Sequence, residues 1–409
     1  MSPFDPTAPL PGPPDPWAAT DVPSPRDGPP YHMTDMIAAE PHVTRRTLAR
    51  LAAPDGPAAR LAGWVRETAD AGASIILTGC GTSEHGALGG AEILRDALRV
   101  AGSAHPGPTV EQAFELALRP PGGGLVIGIS HEGASAATNA ALAAARDAGA
   151  RTAIVTVTDR SPGAQLVDLV VTTDELDQGW CHTIGYLAPL LAATAMAAAL
   201  TNRSIDPEDA ARLVAGGLDE PAAEGMAARL GRVEELIVIA SGVDRAAGRE
   251  LVLKVEEAAW LPSAYRDLET FLHGHLPATG SSTGLVIVLA ERERRPERVR
   301  RARQALAAAT TVGVKAAAIL DVELDPEIEP ELTPAGRLLV PAAPSLPRAV
   351  AALLGSVIPL QLLTERIARV RGTNPDPIRR DDPRYLAAGD AAEREASSDL
   401  RTAPGSPRP

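Results

Sequence analysis

The sequence predicts an α/β fold in two tandem blocks, each a parallel sheet flanked by helices on both faces. Three observations predict it. Short, continuous apolar runs alternate with longer alanine-rich helical patterns, as strands buried on both faces do. The alternation runs through the chain twice in similar order, which suggests an internal duplication. Two of the apolar runs also break into glycine and hydroxyl residues just where a helix begins. That is how strands end at the carboxyl edge of an open parallel sheet.

The elements follow in order. Residues 1–30 are rich in Pro, Asp and Ser without periodicity and are expected to form a disordered arm. The first block, 31–215, has strand patterns at 73–78, 123–129, 152–158 and 168–172. Helical patterns fall at 82–100, 135–148 and 183–200, and a more polar helical stretch at 201–232 bridges to the second block. The second block, 216–388, has strand patterns at 235–240, 284–289 and 314–320, with helices expected at 245–260, 296–310 and 347–370. Residues 389–409 repeat the composition of the arm and are expected to be a disordered tail.

Composition narrows the partners. At 409 residues and 45% apolar, the chain can bury the cores of two domains. A net charge of −13 with no basic block argues against nucleic acid and anionic membrane. The longest apolar run, 186–200, falls short of the ~20 residues that span a bilayer. No charged-then-apolar leader pattern opens the chain. Cys80 and Cys181 are the only cysteines and imply no disulfide framework. A cytoplasmic protein is the expectation. Lysine is scarce: Lys254 and Lys315 stand against 37 arginines. A lysine kept against that drift draws notice, because arginine cannot replace a compact point charge.

The two turns carry the first candidate site. One reads Ile75-Ile76-Leu77-Thr78-Gly79-Cys80-Gly81-Thr82-Ser83, the other Leu125-Val126-Ile127-Gly128-Ile129-Ser130-His131-Glu132-Gly133-Ala134-Ser135. Backbone N–H groups at such helix starts converge on an anion such as a sugar phosphate. Gly81 and Gly133 leave room for it. Thr82, Ser83, Ser130 and Ser135 offer hydroxyl hydrogen bonds, and His131 adds a donor when protonated. Each hydroxyl taken singly also suits an ordinary helix cap. In the second block, Lys254 and Glu257 lie three apart and so share a helix face. His85 and His182 lie near the expected site, but no His/Cys/Asp spacing reads as a zinc site, and no metal or cofactor is expected.

Gly-Cys-Gly-Thr-Ser followed by Ser-x-x-Gly-x-Ser resembles the sugar isomerase (SIS) domain. The tandem order resembles the isomerase half of glucosamine-6-phosphate synthase and related sugar-phosphate deaminase/isomerases and deglycases. The resemblance spans about 33–384. Its opening helix is Met33-Thr-Asp-Met-Ile-Ala-Ala-Glu40-Pro41, its closing helix Ile358-Pro359-Leu360-Gln361-Leu362-Leu363, and its C-terminal loop Arg371-Gly372-Thr373-Asn374-Pro375-Asp376. The resemblance implies that Lys254, Glu257 and His273 are catalytic. The glutamate would move a proton between C1 and C2 of the opened sugar. The histidine would assist ring opening from a neighbouring subunit, which makes a homodimer the expected state. The chemistry is sound: aldose–ketose exchange needs a base beside a carbonyl and a group that stabilises the enediolate.

The chain also departs from the pattern. Glu132 stands where relatives keep a serine, His275 replaces a proline after His-Gly, and Ile184 replaces a lysine. The family's C-terminal lysine falls near Pro383, with Arg384 beside it. The second block's equivalent turn, Val288-Leu-Ala-Glu-Arg-Glu-Arg294, is charged and lacks a hydroxyl cluster, so one sugar site per chain is expected. No nucleophilic cysteine precedes Cys80, so the reading expects no glutaminase in this chain and an external source of ammonia. The leading expectation is a sugar-phosphate isomerase, coupled to gain or loss of an amine. The alternatives are a non-catalytic sugar-phosphate sensor and a structural α/β protein whose turns are only caps.

Overall fold

The first half of the molecule winds outward from one central strand. The computed structural model describes residues 4–12 and 26–402. Two helices come first, α1 (His32–Leu51) and α2 (Pro57–Asp70). Then β1 (Ile75–Gly79), α3 (Thr82–Val100), β2 (Thr109–Gln112), α4 (Ala113–Leu118), β3 (Leu125–Ile129) and α5 (Ala136–Asp147) alternate. β4 (Arg151–Thr156), β5 (Leu169–Thr172) and α6 (Ile184–Thr201) complete the half. All strands are parallel, in the order β2-β1-β3-β4-β5.

The second half repeats the scheme. α7 (Pro207–Ala215) and α8 (Glu220–Leu230) precede β6 (Glu235–Ala240) and α9 (Arg245–Ala259). β7 (Ser263–Asp267), β8 (Thr283–Leu289), α10 (Arg295–Thr311), β9 (Lys315–Asp321) and β10 (Gly336–Val340) follow. The closing helices are α11 (Arg348–Arg371) and α12 (Pro383–Thr402). The second sheet runs β7-β6-β8-β9-β10, so the two halves share one winding order.

Three of these strands are absent from the sequence reading, and all three are edges. β2 shows no fully buried residue, β7 is half-buried throughout, and β10 alternates. An edge strand covered on one side needs no continuous apolar run. The central strands β1, β3 and β8 are buried at every position.

One core joins the halves. It takes in the inner faces of both sheets with α1, α3, α6, α9 and α11, while smaller apolar clusters lie on the outer face of each sheet. Helices α3 and α6 cross closely because α3 presents glycines. A Cβ at Gly86 would lie 2.6 Å from Pro189 Cγ, and one at Gly89 2.5 Å from Leu190 Cδ2. Helices α6 and α11 are long and apolar enough to cross a membrane. Their apolar windows are 83% and 100% buried within the protein, the placement of core helices.

Both chain ends differ from expectation. Part of the expected disordered arm is docked: Leu10 is buried, its N–H donates to Glu175 Oε2 at 3.0 Å, and Arg46 donates to the Thr7 carbonyl at 2.8 Å. Residues 13–25 lie outside the described residues. The tail expected to be disordered from 389 continues α12 as far as Thr402. Its Ala, Glu and Arg content supports a helix although nothing in it is patterned as core. Residues 403–409 lie outside the described residues.

Candidate functional site

The two serine turns sit side by side. β1 and β3 are paired in the sheet, so both turns leave its carboxyl edge together. After β1 the backbone turns through Gly81 at φ +57° and enters α3 at Thr82. After β3 it turns through Gly133 at φ +69°, where a Cβ would lie 2.1 Å from Ser161 Oγ. Ser130 is buried and its hydroxyl lies 3.5 Å from that of exposed Ser135. Cys80 Sγ approaches Thr138 Oγ1 of α5 at 3.7 Å and ties the first turn to the second.

Helix α9 of the second half faces these turns. Among the described residues, Leu253 Cδ2 alone comes near the open side of Gly81, 3.6 Å from where a Cβ would stand. Glu250, Lys254 and Glu257, spaced four and three apart, lie on one face of α9. Glu250 is fully buried; its carboxylate meets His85 Nδ1 at 2.7 Å and accepts from Thr82 Oγ1 at 3.2 Å. Lys254 Nζ lies 3.8 Å from Glu250 Oε1 and is ion-paired with Glu257. Burial alone would lower the Lys254 pKa, but Glu257 and Glu250 outweigh it and hold the ammonium charged. The Glu257 side chain remains 23% exposed, the Lys254 side chain 0%. The arrangement is a fixed, desolvated cation beside an accessible carboxylate, on the α9 face whose Glu250 bonds Thr82 at the first turn.

No protein-family model matches the chain. It is 27% identical over 302 residues to glutamine–fructose-6-phosphate aminotransferase [isomerizing] of Caulobacter vibrioides, covering 68% of this chain and 46% of that protein. It thus spans under half the length of that relative. Among solved structures, it matches the C-terminal domain of the Francisella tularensis glucosamine-fructose-6-phosphate aminotransferase with a TM-score of 0.73 at 20% identity, over 87% of this chain and 100% of that one. It matches tagatose-6-phosphate ketose/aldose isomerase from Escherichia coli with a TM-score of 0.66 at 16% identity, over 85% and 95% of the two chains. The chain has the tandem SIS fold.

Within that fold, the site residues expected from sequence separate into groups. Ser130, Ser135, Gly81 and Gly133 share the cradle. Thr82 lies at its edge with its hydroxyl turned to Glu250, and Ser83 is half-buried in the first turn of α3. Lys254 and Glu257 lie on the α9 face from which Glu250 reaches Thr82. His131 is turned away from the cradle: its Nε2 accepts the Asp177 N–H at 3.0 Å, and its ring lies 5.1 Å from that of His182. That bond leaves the His131 proton on Nδ1.

Asp177 caps α6 by accepting N–H groups of Thr183, Ile184 and Gly185. Burial works to raise its carboxyl, but the two histidine rings and those N–H groups hold it below the ordinary range. Burial pushes His182 down to about 3, so its imidazole is neutral. Burial pushes the Cys181 thiol well up. Glu40, from the opening helix, is wholly buried, and that burial pushes its carboxyl well above the ordinary range.

His273 does not join the group within one chain. Its side chain is 68% exposed and bonded to Glu269 at 2.8 Å. Arg384 is engaged by Asp382 at 2.8 Å on the exposed surface. The C-terminal loop is instead held by other groups. Trp180 donates its backbone N–H to the Asp376 carbonyl at 2.8 Å, and the Arg380 guanidinium stacks 3.6 Å above the Trp180 ring. Arg379 lies 4.3 Å over Trp260, the residue that ends α9. Sequence reasoning missed Glu250. Its signal was available, four residues before Lys254 on the same helix face. Among the described residues, no three His, Cys, Asp or Glu side chains are grouped to hold a metal ion.

Proposed function

We propose that this protein binds a phosphorylated amino sugar or ketosamine at the Ser130–Ser135 cradle and interconverts its aldose and ketose forms, with gain or loss of an amine. One observation carries the reading: Glu250 ties α9 to the first turn through Thr82 and His85, and the Lys254–Glu257 pair stands beside it on the same helix face. The names of the similar proteins, an aminotransferase and a ketose/aldose isomerase, support the same class of substrate.

In this mechanism the phosphate rests on the turn N–H groups and the hydroxyls of Ser130, Ser135 and Ser83. The Glu257 carboxylate takes a proton from one carbon of the opened sugar and returns it to the adjacent carbon. The Lys254 ammonium stabilises the enediolate between those two transfers. Glu250 keeps Lys254 charged and in place, and is a positioning residue. His273 reaches the site from a second copy of the chain and assists ring opening. Glu257→Gln should abolish isomerisation of glucosamine 6-phosphate or a related ketosamine and leave its binding intact. Unchanged turnover on an accepted substrate would sink the assignment.

A sensor that binds sugar phosphate without turnover is the second reading. Glu132 in the cradle loop and the engagement of Arg384 by Asp382 favour it. Tight binding with no turnover across hexose and hexosamine phosphates, with and without ammonia, would select it.

A further inference from the structure

The duplicated half contains a second pair of turns in the same geometry. β6 ends at Ala240 as β1 ends at Gly79, and each is followed two residues later by a glycine in the left-handed region: Gly81 at φ +57°, Gly242 at φ +59°. β8 pairs with β6 as β3 pairs with β1. Counted back from the helices that follow, α5 at Ala136 and α10 at Arg295, Glu132 and Glu291 occupy the same position. Counted from the glycines, Ser83 corresponds to Asp244.

What fills the two turns differs. Over Gly81 a Cβ would meet only Leu253 Cδ2, at 3.6 Å. Over Gly242 it would lie 2.3 Å from both Glu291 Oε2 and Arg298 Nη2. The Glu291 carboxylate is bonded there as a ligand would be. It accepts the Val243 N–H at 3.0 Å and pairs with Arg298 at 2.9 Å, and Arg298 also donates to Ser241 Oγ at 2.7 Å. Asp244 locks the other turn by accepting the N–H groups of Ala290 and Glu291 at 3.1 Å. A cavity of about 250 Å³ adjoins this lock between the two halves. Arg95 and Arg99 of α3, Arg348 at the start of α11 and Arg298 line it, together with Glu92, Asp96 and Glu293. Arg95 and Arg99 are paired with Glu92 and Asp96 on their own helix.

We propose that this second pair of turns is an oxyanion site in a self-filled state. The Glu291 carboxylate occupies the place over Gly242 that a phosphate or carboxylate would take. An oxyanion entering the adjoining cavity competes with it for Arg298 and the Val243 N–H. The site lies apart from the Ser130 cradle and does not depend on the activity proposed for it.

The test uses the full chain with Ser130→Ala and Ser135→Ala, so that the first cradle does not contribute. In that background Glu291→Ala should lower the melting temperature in chloride. Inorganic phosphate or acetate should restore it, because an anion that binds only the folded state stabilises it. Titration calorimetry should show one phosphate per chain, bound at least tenfold more tightly than with Glu291 present. Adding Arg298→Met should erase that binding. If Glu291→Ala does not fold, Glu291→Gln, which keeps the shape and removes the charge, carries the same expectation. Equal melting in chloride, acetate and phosphate, with no bound phosphate, would overturn the proposal. Failure of sugar phosphates to bind the intact Ser130 cradle would overturn the proposed function and leave this result standing.

Discussion

The two halves share a winding order and a left-handed glycine after the central strand, yet they satisfy their turns in opposite ways. The first pair of turns carries the hydroxyls of Ser83, Ser130 and Ser135 and stands open above Gly81. The second carries Asp244 and Glu291, and each turn's N–H groups are bound by the other's carboxylate. The difference teaches that the scaffold presents the same pair of turns twice and that a few side chains decide what their N–H groups bind. Hydroxyls leave the N–H groups for a ligand. A carboxylate in the neighbouring turn takes those N–H groups for itself.

The sharpest break in the comparison is chemical. Glu257→Gln should lower turnover on the order of a thousandfold, since it removes the proposed proton carrier, which α9 of the second half supplies to the first pair of turns. Steady-state kinetics against an accepted sugar phosphate would read it. Next is Lys254→Met, which leaves Glu250 buried without its ammonium. It should cost about 3 kcal/mol in urea unfolding, the scale for one broken partner of a buried pair. Glu132→Ser should then make the first loop less like the second. Removing a carboxylate from the phosphate's side should tighten sugar-phosphate binding about tenfold by calorimetry.

The mildest test is of pH. Burial, with the Glu291 charge, pushes Asp244 up to about 8, although the N–H groups it accepts and Arg298 oppose the shift. The folded state therefore holds a proton that the unfolded state releases near 4. Stability should fall as pH rises between those values, and Asp244→Asn should flatten that slope. An unchanged slope in urea titrations from pH 4 to 8 would contradict the lock.

The central strands and most helices were legible because burial on both faces writes a continuous apolar run. The edges β2, β7 and β10 were not, because one open side lets polar residues in. At the site, the cradle and the Lys254–Glu257 pair were readable as local spacing. Glu250 was not singled out, because a glutamate on a helix reads as surface until its partners are known. Those partners, Thr82 and His85, come from the other half of the chain. His131 was expected in the cradle, and the group that turns it inward, Asp177, lies 46 residues away.

Helix α11 gives the molecule an order of assembly. Every residue from Ala349 to Ala368 is buried, packed against helices of both halves. A growing polypeptide that has emerged only as far as β10 has both sheets but lacks the helix that seals them. The faces of α7, α8 and α9 that α11 covers, and smaller parts of α1, α3 and α6, are then exposed. A chain that stops after β10 should therefore bind a hydrophobic dye that the full chain excludes.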